Sequence, residues 1–389
     1  MPRRIIHARA IADYRGVLAS PGAIVMEGRR ILEIGTPQTV GSAGDTTPLE
    51  VPGFVLPPLV NAHAHLDLSG VGPQPAAASL SAWIEDVVLP IRRRGDDAAA
   101  IARGIDMALA GGTAFIGDIA ASDLAVELVQ QSPLRGVSFR ECIGSGDQGA
   151  AVIAHMPRMP GGLQPHALYS CDRDVFEAAL ASGRPLSTHL AETPEEVEFT
   201  MSGGGAMAAW LESLPGFEPL RTWGGHPIDV LLDMLGDRPL LAAHCNHVEE
   251  RHIDRLASSG ITVAYCPRAS AYFGHDNHRW RDMLDAGVPV AFGTDSLLCL
   301  DTPHRISVLD EMRYLWQRHK ASAADLLTMA TTHGAAALGV DRSLVTLEPG
   351  EIAGLLAVSG GTWEQAMGSN EPPKWILRPQ NGETGETGS

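Results

Sequence analysis

From residue 57 onward the chain repeats one rhythm: a short apolar stretch bounded by turn residues, then a helix-like segment. Strand candidates are 58–66, 112–119, 135–143, 163–170, 185–191, 239–246, 261–267 and 289–295. The gaps hold segments such as 97–110 ("DAAAIARGIDMALA"), which opens on Asp and runs into Gly-Gly as a capped helix should, and 172–182. The gap before 163 is short, and its helix is only weakly signalled. Eight strands alternating with helices over about 280 residues is the size and pattern of an α/β fold, the (β/α)8 TIM-type barrel. Residues 4–56 read instead as short strands with Gly/Pro punctuation, and 343–358 returns to that style. The tail, 379–389, is polar and Gly-rich and is expected to be disordered.

A barrel carries its chemistry at the C-terminal ends of its strands, so the polar residues should fall there. In "LVNAHAHLDLS" the first strand ends on His63 and His65, which share a face because alternate side chains of a strand point the same way. His166 lies in the fourth strand, His189 ends the fifth, His244 the sixth and Asp295 the eighth. Singly, each reads as a hydrogen-bonded histidine or a capping Asp. Together, His63, His65, His189 and Asp295 suit one divalent ion, zinc first and ferrous iron as the alternative, with a position left for water.

Glu192 follows His189 by three residues, past the strand tip, where its carboxylate can carry a proton between an activated water and a substrate. Thr193 is the better cap for the helix beginning near Pro194, which frees Glu192 for that work. Glu195, Glu196 and Glu198 read as the solvated first turn of the same helix. Of 29 basic residues only Lys320 and Lys374 are lysines, and neither lies in a barrel strand. A lysine-bridged metal pair and Schiff-base catalysis are therefore excluded, and a mononuclear site is expected.

A net charge of −17, with "RRR" at 92–94 the densest basic cluster, argues against nucleic acid or an anionic membrane as partner. Five scattered cysteines, with no Cys-x-x-Cys pair, read as reduced thiols. The N-terminus lacks a signal-peptide core and no 18-residue apolar run occurs, so a soluble cytoplasmic protein is expected.

Taken together, "NAHAHLD", "PHALYS", "HLAETPEE", "AAHCNHV", "CPRASAYFGH", "GTDS" and "LEPGEIAGLLAV" resemble the amidohydrolase superfamily, in its mononuclear aminohydrolase branch. The likeness spans nearly the whole chain. One departure is the last motif, where many relatives carry an acidic pair before the leucines. The resemblance implies metal ligands at His63, His65, His189 and Asp295, and protonation of a ring nitrogen by Glu192. It implies that His244 orients the attacking water, that Asp295 takes a proton from it, and that His166 contacts substrate. It also implies that segments 1–56 and 340–378 form one composite small β-sandwich domain beside a barrel of 57–339. The implied reaction is hydrolytic deamination of an aminated N-heterocycle, purine- or pteridine-like, releasing ammonia. A chlorohydrolase or cyclic amidase with the same site is the alternative, and an inactive scaffold is a third reading that the full ligand set disfavours.

For the substrate, "SAWIEDVVLPIRRR" resembles the helix after the first strand in adenosine-type deaminases, but carries Arg92 where those have a glutamate. Arg92, Arg140 in "SFRECIG" and Arg268 in "YCPRAS" are candidates to clamp a carboxylate bidentately. For Arg92 and Arg140 a solvated helix end and an acidic neighbour are the competing readings. The motifs look closer to aminodeoxyfutalosine deaminases than to cytosine deaminases. His247, His275 and His278 are placed near the pocket, and His333 at a structural helix start. The expected partner is a small heterocyclic molecule, with a second copy of the chain left open. Segments 67–80 and 200–238, Gly-rich in part, are candidate lid loops.

Overall fold

The computed structural model describes residues 3–41, 47–95, 97–214 and 223–380. The barrel strands are β1 (Leu59–His65), β2 (Thr113–Ala120), β3 (Arg135–Cys142) and β4 (Gly162–Pro165). They continue with β5 (Ser187–Leu190), β6 (Leu240–His244), β7 (Ile261–Tyr265) and β8, which is split into Val290–Phe292 and Asp295–Ser296. All eight overlap the apolar stretches read from the sequence, but β4 stops at Pro165, so His166, read as part of the fourth strand, falls just past its end. Strands β1 to β4 pair in parallel, as do β5 to β8, and a bridge from Leu163 to Leu186 joins the two halves. The ring closes where Asp295 and Ser296 pair with Ala64 and His65. Behind that seam the buried Asn61 amide donates to Thr294 Oγ1 at 2.8 Å.

Helices fill the gaps as their caps dictate. Asp97 accepts the Ala99 and Ala100 amides and opens Ala98–Ala110, whose apolar face (Ile101, Ile105, Ala108) packs on β1 and β2 neighbours Leu66 and Ile116. Asp172 caps Arg173–Ala181, and Thr193 caps Pro194–Ser202. The gap before β4 does hold a helix, Gly146–His155, whose weak apolar stripe explains its weak signal in the sequence. Helical stretches Leu80–Trp83 and Leu89–Arg92 flank a π-turn at Ile84–Val88. Pro90, which cannot donate to the carbonyl four residues back, sits just after that turn.

The two ends of the chain share one eight-stranded sheet, with Arg3–Asp13 and Leu49–Leu56 central and Leu355–Val358 and Lys374–Leu377 at one edge. The strands expected as a sandwich thus hydrogen-bond continuously, because Arg3–Asp13 pairs with three neighbours at once. Ile6, Ile24, Met26, Val55 and Leu355 form its own core, while Ala10, Ala12, Phe54 and Leu56 join the barrel's largest cluster. The Trp375 indole ties the edge to the barrel by donating to the Leu109 carbonyl at 2.7 Å. All five cysteines are buried and free. No helix among the described residues is long and apolar enough to cross a membrane. From residue 381 the expected disordered tail lies outside the described residues.

Candidate active site

The strand tips converge on a buried cluster. Nitrogens of His63, His65 and His189 lie within 4.8 Å of one another, and ligand atoms of Glu192, His244 and Asp295 form an adjoining group of the same width. His65 Nε2 is 3.4 Å from His189 Nε2 and 3.6 Å from Asp295 Oδ1. Four residues of these tips take left-handed backbone conformations that non-glycines rarely adopt: Ala191 (φ 49°), His244 (φ 71°), Cys245 (φ 52°) and Asp295 (φ 59°). Such strain persists only where the surroundings hold it, and here it aims side chains over the barrel mouth.

The donor set fits a cation. His63 is fully buried, yet neither of its ring nitrogens has a partner, and His65 Nδ1 and His244 Nε2 are likewise unpartnered. Buried polar atoms are rarely left so. Burial and mutual repulsion push His63, His65 and His244 well below the usual imidazole range, and His189 to about 3. The rings are neutral and offer lone pairs. His189 Nδ1 lies 3.2 Å from the His166 carbonyl; on the assignment that Nδ1 carries the hydrogen, Nε2 faces the cluster. Burial raises Asp295 to about 6, and Glu192 well above the usual carboxylate range with Asp295 and Glu196 adding to it. Glu192 Oε1 sits 3.6 Å from His244 Nε2.

All of the cluster but His63 lines a cavity of about 600 Å³, whose apolar wall includes Trp83, Ile84, Val88, Ile91, Trp210 and Phe273. Part of each candidate lid segment therefore builds this wall, through Leu68 and Val71 in one and Trp210, Leu211 and Leu214 in the other; residues 215–222 lie outside the described ones. His166 reaches the cavity, fixed by a 2.7 Å hydrogen bond between its Nδ1 and Ser170 Oγ.

The three arginines divide. Arg92 lines the cavity, but its Nη1 is already held by Asp67 Oδ2 (3.1 Å) and Glu141 Oε2 (3.3 Å). Burial alone would push Glu141 up, but Arg92, helped by His166, keeps it below the usual carboxylate range. Asp67 is raised by burial to about 6, against the opposing pull of Arg92. Arg140 turns away from the cavity to Asp123 Oδ1 (2.9 Å), the acidic neighbour that the sequence offered as the competing reading. Adjacent strand residues face opposite sides, so β3 presents Glu141 to the cavity and Arg140 to the helix behind. Arg268 is buried off the cavity wall, held by Glu311 Oε1 (2.6 Å) and Asp301 Oδ1 (2.9 Å).

Glu196 corrects a second expectation. It is fully buried rather than solvated, and its carboxylate accepts the backbone amides of Ala191 (2.9 Å) and Glu192 (2.7 Å). Of the other histidines, His278 Nε2 donates to the His244 carbonyl at 2.9 Å, whereas His247 and His275 face each other outside the cavity lining. His333 bonds the Val290 carbonyl in a helix, as a structural residue would.

The profile of the amidohydrolase family matches residues 54–380. The chain belongs to the amidohydrolase family. Among curated relatives of this amidohydrolase, the aminodeoxyfutalosine deaminase of Deinococcus radiodurans is 30% identical over 361 residues, covering 85% of this chain and 84% of its own. The 5-methylthioadenosine/S-adenosylhomocysteine deaminase of Symbiobacterium thermophilum is 27% identical, covering 92% and 85%. Of solved structures, the Helicobacter pylori aminofutalosine deaminase in complex with methylthio-coformycin superposes with a TM-score of 0.78 at 23% identity, covering 94% of this chain and 95% of that one. At that identity the superposition speaks for the amidohydrolase fold.

Proposed function

We propose that this chain is a divalent-metal-dependent hydrolase that deaminates the adenine ring of an adenosine-type nucleoside. The observation that carries the reading is the buried Glu192–His244 pair set beside three neutral imidazoles and Asp295, opening on a largely apolar cavity. Relatives covering most of the chain act, by their names, on nucleosides of this type. His63, His65, His189 and Asp295 would hold the ion, zinc by the chemistry of the donor set, and when bound it supplies water activated at neutral pH.

The remaining steps fall to this chain's side chains. Neutral His244 orients the water toward the ring carbon that bears the amine. Asp295, as a carboxylate beside the water, takes its proton. Glu192, whose carboxyl burial raises well above its usual range, donates in its acid form to the adjacent ring nitrogen. Asp295 then passes the water's first proton to the departing amine while Glu192, now a carboxylate, takes the remaining hydroxyl proton. The C=O bond forms as the C–N bond breaks, ammonia leaves and both carboxyls return to their starting states.

The cavity also bears on the rest of the substrate. With Arg92 shared between Asp67 and Glu141, the deep polar wall carries one more carboxylate than guanidinium. Hydroxyl groups suit that wall and a carboxylate does not. A carboxylate on a 5′ substituent, as aminodeoxyfutalosine carries, has to reach Arg94, exposed at the cavity's edge.

The test is coupled ammonia release from the zinc-loaded protein. The panel holds 5′-deoxyadenosine, methylthioadenosine, S-adenosylhomocysteine, aminodeoxyfutalosine, cytosine and guanine. Release from an adenine nucleoside, cut roughly 10²- to 10⁴-fold in Glu192→Gln, supports the reading. Metal-loaded protein that releases nothing from any adenine nucleoside, or that expels chloride from a chlorotriazine instead, overturns it.

A further inference from the structure

Three residues, Ala191–Thr193, link β5 to the helix Pro194–Ser202, and the first two, Ala191–Glu192, form the turn on which the proposed proton carrier rides. Every backbone polar group of that turn has a fixed partner. The Ala191 amide donates to Glu196 Oε1 at 2.9 Å and the Glu192 amide to Glu196 Oε2 at 2.7 Å. The Ala191 carbonyl accepts the His247 amide at 3.0 Å. The Glu192 carbonyl accepts the side-chain amide of Asn246 at 3.0 Å, and Asn246 Oδ1 in turn accepts Ser270 Oγ at 2.8 Å. Glu196, Asn246 and Ser270 are all buried.

A buried carboxylate is costly unless hydrogen-bonded, and an apolar residue would fill the Glu196 site without that cost. What Glu196 adds is two acceptors at fixed spacing on one side of a turn whose first residue sits at φ 49°. A left-handed alanine relaxes to ordinary conformations unless held, and relaxation would swing the Glu192 side chain away from His244. On the other side, Asn246 comes from the segment just after β6 and Ser270 from the helix after β7. The strut therefore ties the β5 tip to the tips of the two following strands.

We propose that Glu196, Asn246 and Ser270 are positioning residues that hold the Glu192 carboxylate at its working distance from the metal-ligand cluster. The inference rests on the functional reading only in naming what Glu192 does; the clamp itself is a statement about the backbone of residues 191–192. A glutamine at 196 keeps one acceptor but turns its amide group against the second backbone N–H. An alanine at 246 removes the donor to the Glu192 carbonyl.

The experiment compares zinc-loaded parent, Glu196→Gln, Asn246→Ala and Ser270→Ala, with metal content, steady-state kinetics on the substrate that the panel identifies, and amide exchange of residues 190–193 by mass spectrometry. A displacement of about 1 Å can cost around 100-fold in rate. We expect kcat to fall roughly 10- to 100-fold in Glu196→Gln and Asn246→Ala and less in Ser270→Ala. KM should stay within about 2-fold and zinc at the parent's level, while exchange over 190–193 quickens about 10-fold. A loss of zinc in step with kcat would mean a structural role only and overturn the proposal. So would folded, zinc-loaded variants with the parent's kcat and exchange. Should Glu196→Gln fail to fold, the Asn246 and Ser270 variants decide. If the parent itself deaminates nothing, the functional reading fails. Exchange then decides the clamp: quickened at 190–193 it stands, unchanged it falls.

Discussion

At the residue scale, the cavity's charge is set by one cation among carboxylates. Arg92 neutralises much of Asp67 and Glu141, and behind them burial, with Asp67 adding to it, raises Asp118 to about 8. Removing one member of a buried ion cluster leaves the others uncompensated, at a cost of about 3–5 kcal/mol. We therefore expect Arg92→Met to lose about 3 kcal/mol at pH 8 in urea unfolding. The sign of the pH dependence follows from Glu141. With Arg92 present, Glu141 lies below its ordinary 4.5 and contributes stability above that pH. Without Arg92, burial lifts it above 4.5, so the unfolded chain releases its proton first and stability falls as pH rises through that window. The deficit should shrink at about pH 5. An equal deficit at both values would refute the role given to Arg92.

At the element scale, the closing seam between β8 and β1 governs the proposed metal-ligand cluster, because His63 and Asp295 sit on its two sides. Gly293 lies in the gap between the two halves of β8, where its amide donates to the Tyr265 carbonyl. A Cβ added there would come within 2.7 Å of Cys266 Sγ, 2.8 Å of His63 Cβ and 3.0 Å of the His63 carbonyl. Overpacking of this kind costs about 1–3 kcal/mol. Gly293→Ala should lower the melting temperature and also push His63 aside, so that zinc is retained less well on dialysis. Unaltered zinc retention would show that the seam tolerates the methyl group without moving the ligand.

At the scale of the whole molecule, the terminal sheet and the barrel share apolar surface. Ala10, Ala12, Phe54, Leu56, Leu356 and Val358 from the sheet lie in one cluster with Leu327 and Met329 from the barrel's last helices. Segments that share a core lose stability together. Calorimetry should show a single unfolding transition, and Leu356→Ala, which empties a fully buried site, should lower it as a whole by roughly 2–5 kcal/mol. A separate, earlier transition for the sheet would contradict this.

The alternation of strand and helix determined by itself that a barrel forms and where its strands lie, because apolar runs and caps are local signals that need no partner to be read. Spacing along single strands likewise put His63, His65, His189, His244 and Asp295 at the strand tips, where the structure brings them together. Which neighbour faces the cavity was a different matter. Arg140 and Glu141 are adjacent on β3, and only the direction of the strand in the closed ring turns Glu141 inward. Glu196 reads as a solvated residue of a first helical turn, until the fold lays the β5 tip over it and supplies two amides. Arg268 and Arg92 looked like free cations because their carboxylate partners stand 43 and 49 residues away or, for Asp67, in a different element. Charge pairing and burial depend on what arrives from elsewhere in the chain, so tertiary structure alone decided them.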